Sequence, residues 1–297
     1  MSDILDEHSK NLIKTRVINK MKEIKSFPHF VVETLRKLND PTSNVSDVAM
    51  SLSRDEGLVL RTLKLANSAA YGMSRNISDV SEAIALLGYK NISNIVLAAT
   101  VYTVMDKGLN GYALDRGELW RHSLTTAYAA RYIAQTTKKI PPEEAYVGGL
   151  LHDVGKVVLN DYVQFGYALI VKEVEEEHVP FAEAEMKIIG FDHSTVGSLL
   201  VERWNLPKGY YHSTLLHHRP NDLEPENGEF QPVVDVVSVA NSICLMMGIG
   251  LGADGLQNYM YPDPLERLGI NNYEALMSEL IDFASEAAQE MADMKGL

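Results

Sequence analysis

Apolar and polar positions follow a helical period along almost the whole chain. Val31, Leu35 and Leu38 recur at i, i+4 and i+7, one face of a helix, and Asn39-Asp40-Pro41 breaks it. Ser46 precedes a second apolar-periodic segment with Val48 and Leu52 and is expected to be its N-cap. Asp79 and Glu82 have capping-box spacing, with aspartate in place of the usual hydroxyl residue. Ile84 and Leu87 carry the apolar face that follows, and Gly88 stands where a glycine would end a helix. Asn67-Ser68-Ala69-Ala70-Tyr71 could line a partner groove, beside the reading as another helix terminus with small residues for close packing. Pro141-Pro142-Glu143-Glu144 reads as a helix start, with proline in the first turn and acidic residues against the positive end of the dipole. Arg219 to Pro232 is polar and acidic and is expected to be an exposed loop. Leu276, Leu280 and Phe283 share a face of a last packing helix between Tyr273 and Met294. Strand-like alternation is scarce, so an all-α fold is expected.

Glycine and polar residues concentrate between Gly108 and Gly117. The segments beyond are longer and hold most of the histidines. Two parts are expected: an N-terminal helical subdomain, 1-114, and a second helical subdomain, 115-297, with the candidate chemistry.

Composition narrows the function. The 297 residues are 46% apolar and 23% charged, ordinary for a folded globular chain. No run of 18 apolar residues occurs, so no membrane span is expected. The start, MSDILDEHSK, lacks the basic stretch and apolar core of a signal peptide. The one cysteine, Cys244, lies in an apolar stretch and is expected to be a buried thiol, which fits a cytoplasmic address. The net charge is −13, with no run of lysine and arginine, so no general nucleic-acid binding is expected.

Of nine histidines, His8 and His29 precede the second part, His178 sits in a charged run, and His212 follows two tyrosines as a packing or surface residue. His122, His152, His193, His217 and His218 remain as candidates. The central string is Gly148-Gly149-Leu150-Leu151-His152-Asp153-Val154-Gly155-Lys156. Imidazole and carboxylate together suit a divalent transition metal. Adjacent residues on a helix diverge by roughly 100°, so a His-Asp pair serves two neighbouring ions, or one ion plus a bridge, more naturally than one tight chelate. The two glycines would let a neighbouring helix come close. A bare His-Asp pair is also compatible with a packed histidine beside a surface carboxylate.

The ordered set is more specific than the pair. Trp120-Arg121-His122, His152-Asp153-x-Gly155-Lys156, Asp192-His193-x-x-x-Gly197 and His217-His218 together resemble the HDOD family, and behind it the HD-GYP phosphodiesterases of the HD superfamily. Asp55-Glu56-Gly57-Leu58, Leu63 to Tyr71 and Ala83-Ile84-x-x-Leu87-Gly88 are similar to the N-terminal part of the same family, so the resemblance runs from about Phe27 to about Met247. It implies an all-α, HD-domain-like helical bundle with an N-terminal helical subdomain. It also implies metal-binding positions at His122, His152, Asp153, His193, His217 and His218. Lys156 matches a lysine near the substrate phosphate and would be the catalytic candidate if the chain is an enzyme. Glu118, four residues before His122, is a weaker candidate ligand, beside the reading as a solvated helix glutamate.

Two departures matter. The aspartate that ends the HD pattern is Asn241 here, a neutral amide that would hold a hard cation less well. After His217-His218 the chain reads Arg219-Pro220-Asn221-Asp222, without the Gly-Tyr-Pro motif of the cyclic-dinucleotide enzymes. The resemblance therefore implies a signal-transduction or regulatory protein with a histidine-rich site for one or two ions of iron, manganese or zinc and little or no hydrolase activity. The alternatives are a metal-dependent phosphohydrolase or phosphodiesterase and a di-iron redox or oxygen sensor. A protein partner in a signalling pathway is expected, with a nucleotide or phosphate as candidate ligand.

Overall fold

The computed structural model describes residues 27–68, 75–250 and 260–281, with positions 12, 13, 15–20, 71, 73, 252, 255 and 285 besides. Among these the structure is helical, with an isolated bridge between Leu109 and Leu114 and no strand. The chain forms two compact units that divide at Val104/Met105.

The first unit opens with α1 (His29–Leu38), α2 (Val45–Leu52) and α3 (Glu56–Ala66). α1 buries Val31 and Leu38, as the period predicts, and packs on α2. The cap of α2 is Asn44, not Ser46. Asp47 N donates to Asn44 Oδ1 at 2.8 Å, and Ser46 lies inside the helix. Asp55 caps α3 in the same way, accepting from Leu58 N at 2.8 Å.

Asn67 ends α3 and holds the next segment. Its Nδ2 donates to Leu63 O at 2.9 Å and to Ile77 O at 2.8 Å, and Ile77 N donates to its Oδ1 at 2.6 Å. A structural role fits these three bonds. Ala69 and Ala70 lie outside the described residues.

Glu82 N donates to Asp79 Oδ1 at 2.9 Å, and Ser78 N donates to Glu82 Oε2 at 3.2 Å, the reciprocal capping that the spacing predicts. The helical run α4 (Val80–Met105) is broken at Gly88, where φ is 79° and ψ 161°. The backbone there is open only to a residue without a Cβ penalty. The run is long and apolar enough by composition to cross a membrane, yet the break leaves two shorter pieces whose Ala83, Ile84, Ile92, Ile95 and Val96 are buried.

The second unit holds α5 (Glu118–Thr137), α6 (Pro142–Leu151), α7 (Lys156–Glu177), α8 (Phe181–Ile189), α9 (His193–Arg203), α10 (Lys208–Leu216), α11 (Gln231–Met246) and α12 (Pro262–Leu268). α5 and α11 are buried nearly all round and pack on each other, with α6 against both. Gly149 of α6 makes this approach feasible, since a Cβ there would lie 2.8 Å from Ala127 Cα. Pro142 takes the first helical position of α6, with Glu143 and Glu144 behind it, as expected. The stretch after α10 is mostly exposed but contains a 3-10 turn, Pro225–Phe230. α12 is fixed to α11 by Arg267, which donates twice at 2.7 Å to the buried Asp235 carboxylate. Residues 273–281 are helical, with Leu276 and Leu280 buried, and Phe283 lies outside the described residues. Cys244 is fully buried and unpaired, and burial pushes its thiol up to about 12.

Candidate metal centre

Five histidines and one aspartate, carried by four helices and the turns that follow them, meet inside the second unit. His122 projects from the second turn of α5, His193 opens α9, and His152 and His217 cap the ends of α6 and α10. Asp153 lies in the turn between α6 and α7 rather than within a helix. All are buried except His218, which is half-buried.

Local hydrogen bonds fix which ring nitrogen faces inward. His152 Nδ1 donates to Gly149 O at 2.7 Å, and His217 Nδ1 donates to Thr214 O at 2.8 Å. Each histidine thus satisfies a carbonyl that the end of its own helix leaves unpaired. Each then turns Nε2, with its lone pair, to the centre. His122 Nδ1 does the same with Ile249 O at 2.9 Å. Gly250 crosses directly over that ring, where a Cβ would lie 2.5 Å from His122 Cβ, with φ at +68°.

The inward nitrogens fall into two groups around one carboxylate. His122 Nε2 and His152 Nε2 lie 3.3 Å apart and 3.5 and 3.3 Å from Asp153 Oδ2. His193 Nε2 and His217 Nε2 lie 3.3 and 3.6 Å from Asp153 Oδ1, and His193 Nε2 is 3.0 Å from His218 Nε2. Within each group the ligand atoms lie within 4.8 Å of one another. Asp153 Oδ1 and His217 Nε2 are buried without a hydrogen-bond partner. Orphaned acceptors converging in a dry interior are what a cation would satisfy, so the donor set fits a divalent transition metal.

The electrostatics follow from the packing. Burial alone would raise Asp153, but the charges of His152 and Lys156 overwhelm it and hold the carboxyl well below its usual range. Burial pushes His217 down to about 4, against the opposing pull of Asp153. His218 is also driven well below the usual range, by burial and then by the neighbouring His217 and His193. His193 differs. Burial would lower it, yet the Glu185 and Asp153 carboxylates together lift it to about 10.

The remaining site candidates take other places. Lys156 is fully buried at the start of α7, and its Nζ donates to Asp153 Oδ2 at 2.5 Å. It also lies over the Tyr112 ring at 5.7 Å. Its charge thus sits on the Asp153 carboxylate. Asn241 Oδ1 lies 3.0 Å from His122 Nε2. Glu118 stands at the start of α5, outside both groups, and accepts from Arg121 Nη2 at 2.7 Å. His178 is exposed, and His212 stacks on Phe230.

Glu185 of α8 escapes the sequence reading. Its Oε2 accepts from His193 Nδ1 at 2.6 Å and from His193 N at 3.0 Å, while Tyr112 OH donates to Oε1. Such a carboxylate orients the ring and raises its basicity as a ligand. The signal was a fully buried glutamate on the same helix face as Phe181 and Ile188, where an apolar residue would otherwise stand. Gly155 and Gly197 form a pair that no local sequence pattern marks. They let α7 and α9 touch backbone to backbone, since a Cβ on Gly155 would lie 1.9 Å from His193 O and 2.5 Å from Gly197 N.

Comparisons with known proteins bear on the family and the fold. The HDOD domain matches residues 24–220. An HDOD domain protein of unknown function from Geobacter sulfurreducens is 26% identical, with a TM-score of 0.68 over 96% of this chain and 97% of that one. A protein from Shewanella amazonensis SB2B described as a candidate phosphohydrolase is 22% identical, with a TM-score of 0.72 over 94% of this chain and 97% of that one, and shares the fold. An uncharacterized protein of Treponema pallidum (strain Nichols) is 26% identical over 226 residues, 76% of this chain. The chain spans 43% of that relative's length. With the domain matched over well more than half its length, the chain belongs to the HDOD domain family.

Proposed function

We propose that the chain is a regulatory, signal-transducing HDOD protein whose histidine cluster holds a divalent transition metal and which has little or no phosphohydrolase activity. The observation that carries the reading is the state of Asp153. Among the described residues it is the one carboxylate grouped with the inward-facing Nε2 atoms, Glu185 meeting His193 on its outer Nδ1, and one of its oxygens is held by Lys156 Nζ at 2.5 Å in a fully buried pair. Asn241 supplies no second carboxylate.

A bound divalent ion would supply Lewis-acid charge at the cluster. Iron, manganese and zinc all suit imidazole with carboxylate. The chain's own residues supply orientation and exclusion of water: the carbonyls of Gly149, Thr214 and Ile249 and the Glu185 carboxylate aim the rings inward. Hydrolysis needs an open position and a route for a phosphoester, and His122, His152, Asp153 and Lys156 are each at most 2% exposed. The output would then pass through a protein partner in the cytoplasm. Val32, Met50, Leu60 and Leu86 of the first unit are exposed apolar side chains that a partner could cover.

One observation favours the hydrolase as a second reading. A cavity of about 210 Å³ reaches His218 and is lined by Arg219, Asp192 and Tyr261, enough room for a phosphate-sized group. The test is turnover of bis(p-nitrophenyl) phosphate and of cyclic dinucleotides by protein reconstituted with iron, manganese or zinc, beside Asp153→Ala. Equal, background rates support the regulatory reading. Turnover that depends on Asp153 overturns it.

A further inference from the structure

The two histidine groups share Asp153 but are not equivalent. Resting on the proposed metal reading, we infer that the centre takes one ion, held by Asp153 Oδ1 with His193, His217 and His218, and that the Lys156 ammonium with the Asn241 amide fills the place a second ion would take.

On the Oδ2 side a cation is already present. Lys156 Nζ lies 2.5 Å from Oδ2, three residues along the chain and across one turn, with both groups 1% exposed. An ion between His122, His152 and Oδ2 would place two like charges side by side in a dry interior, where their repulsion is little screened. The other donors offer no compensation. His122 Nε2 faces Asn241 Oδ1 at 3.0 Å. Because His122 Nδ1 already donates to Ile249 O, the neutral ring shows only a lone pair there. The amide satisfies that lone pair when its NH2 is turned to it, which an aspartate could not do. In that orientation Asn241 would take His122 out of the free donors.

The Oδ1 side has the opposite character. Oδ1 and His217 Nε2 are buried with no hydrogen-bond partner. Three imidazoles and one carboxylate oxygen make four donors, an ordinary set for zinc and a usable one for iron. His193 is aimed by Glu185 at 2.6 Å and His217 by Thr214 O at 2.8 Å, so two of the rings are set before any ion arrives. His218 is half-buried and borders the 210 Å³ cavity, which gives this side a route from solvent.

The experiment is titration of untagged, metal-free protein with cobalt(II), read by the ligand-field absorption, and with zinc(II), read by native mass spectrometry. Four proteins are compared: wild type, His217→Ala, His122→Gln, and the double variant Lys156→Met, Asn241→Asp. Circular dichroism confirms that each is folded. One tightly held ion is expected in wild type and in His122→Gln, a loss of at least about a hundredfold in affinity in His217→Ala, and two ions in the double variant. Two ions in wild type, or loss of the ion in His122→Gln, overturns the assignment while leaving a metal centre intact. A double variant that folds but still takes one ion refutes the role given to Lys156 and Asn241. A folded wild type that binds neither metal overturns the metal reading itself.

Discussion

Gly155→Ala isolates the contact on which the centre's geometry depends. Gly155 has φ −64° and ψ −25°, a conformation that alanine adopts freely, so any effect is steric. The new Cβ would lie 1.9 Å from His193 O and 2.5 Å from Gly197 N, both backbone atoms with no flexible end to swing away. Reaching ordinary contact at 3.4 Å requires α7 and α9 to part by about 1.5 Å. In a close-packed interior such an insertion costs about 1–3 kcal/mol, at times more. The opposing gain, from a stiffer unfolded chain, is about 0.4–1 kcal/mol. The clash wins at the middle of these ranges, with a net loss of about 1–2 kcal/mol. Since Asp153 precedes α7 and His193 opens α9, the same shift separates Oδ1 from His193 Nε2, which now lie 3.3 Å apart. Urea unfolding followed by circular dichroism measures the first effect, and zinc affinity the second. Gly228→Ala is the control, because nothing lies within 4 Å of its added Cβ, and it is expected to change stability by less than about 0.5 kcal/mol. A Gly155→Ala protein with wild-type stability and zinc affinity would refute the claim that this close approach sets the site.

Further outcomes follow from other residues. Glu185→Gln is expected to weaken metal binding about 10- to 100-fold, since the carboxylate no longer orients and charges the His193 ring; competition against a chromophoric chelator measures it. His212 is held below the usual histidine range, first by burial and then by Lys208, so its folded pKa lies under its unfolded value. Its contribution to stability is therefore present above about pH 6.5 and lost as pH falls; NMR titration should show a depressed midpoint that rises in Phe230→Ala, and a midpoint at the ordinary value would contradict this. Cys244, buried and raised to about 12, should resist a disulfide-exchange reagent in the folded protein and react at once in denaturant.

The legible parts of this sequence are those whose physics is local. Capping by Asp79 and Glu82, the break at Gly88 and the proline start of α6 each depend on residues within four positions. The cap of α2 lies two residues before the expected Ser46, because Asn44 and Ser46 are both competent caps and only the backbone turn decides between them. The histidine order was readable through the family pattern, and the structure brings His122, His152, Asp153, His193, His217 and His218 into one cluster. What the sequence did not reveal is pairing across the fold. Glu185 meets His193 and Tyr112 meets Glu185 through tertiary packing, and no local period marks them. The family pattern puts Lys156 near a phosphate if the chain is an enzyme, but its contact with the Asp153 carboxylate comes from tertiary burial that no local pattern marks. Glu118 shares a helix with His122, yet stays with Arg121 on the partly exposed start of α5.

The most direct measurement is the metal content, by elemental analysis, of protein purified without a histidine tag or chelator, beside a His152→Ala, Asp153→Ala double variant. About one transition-metal ion per chain in the wild type and none in the folded variant is the expected result. A wild type that stays empty after incubation with iron, manganese and zinc would contradict the metal centre and leave the HDOD fold as a metal-free binding scaffold.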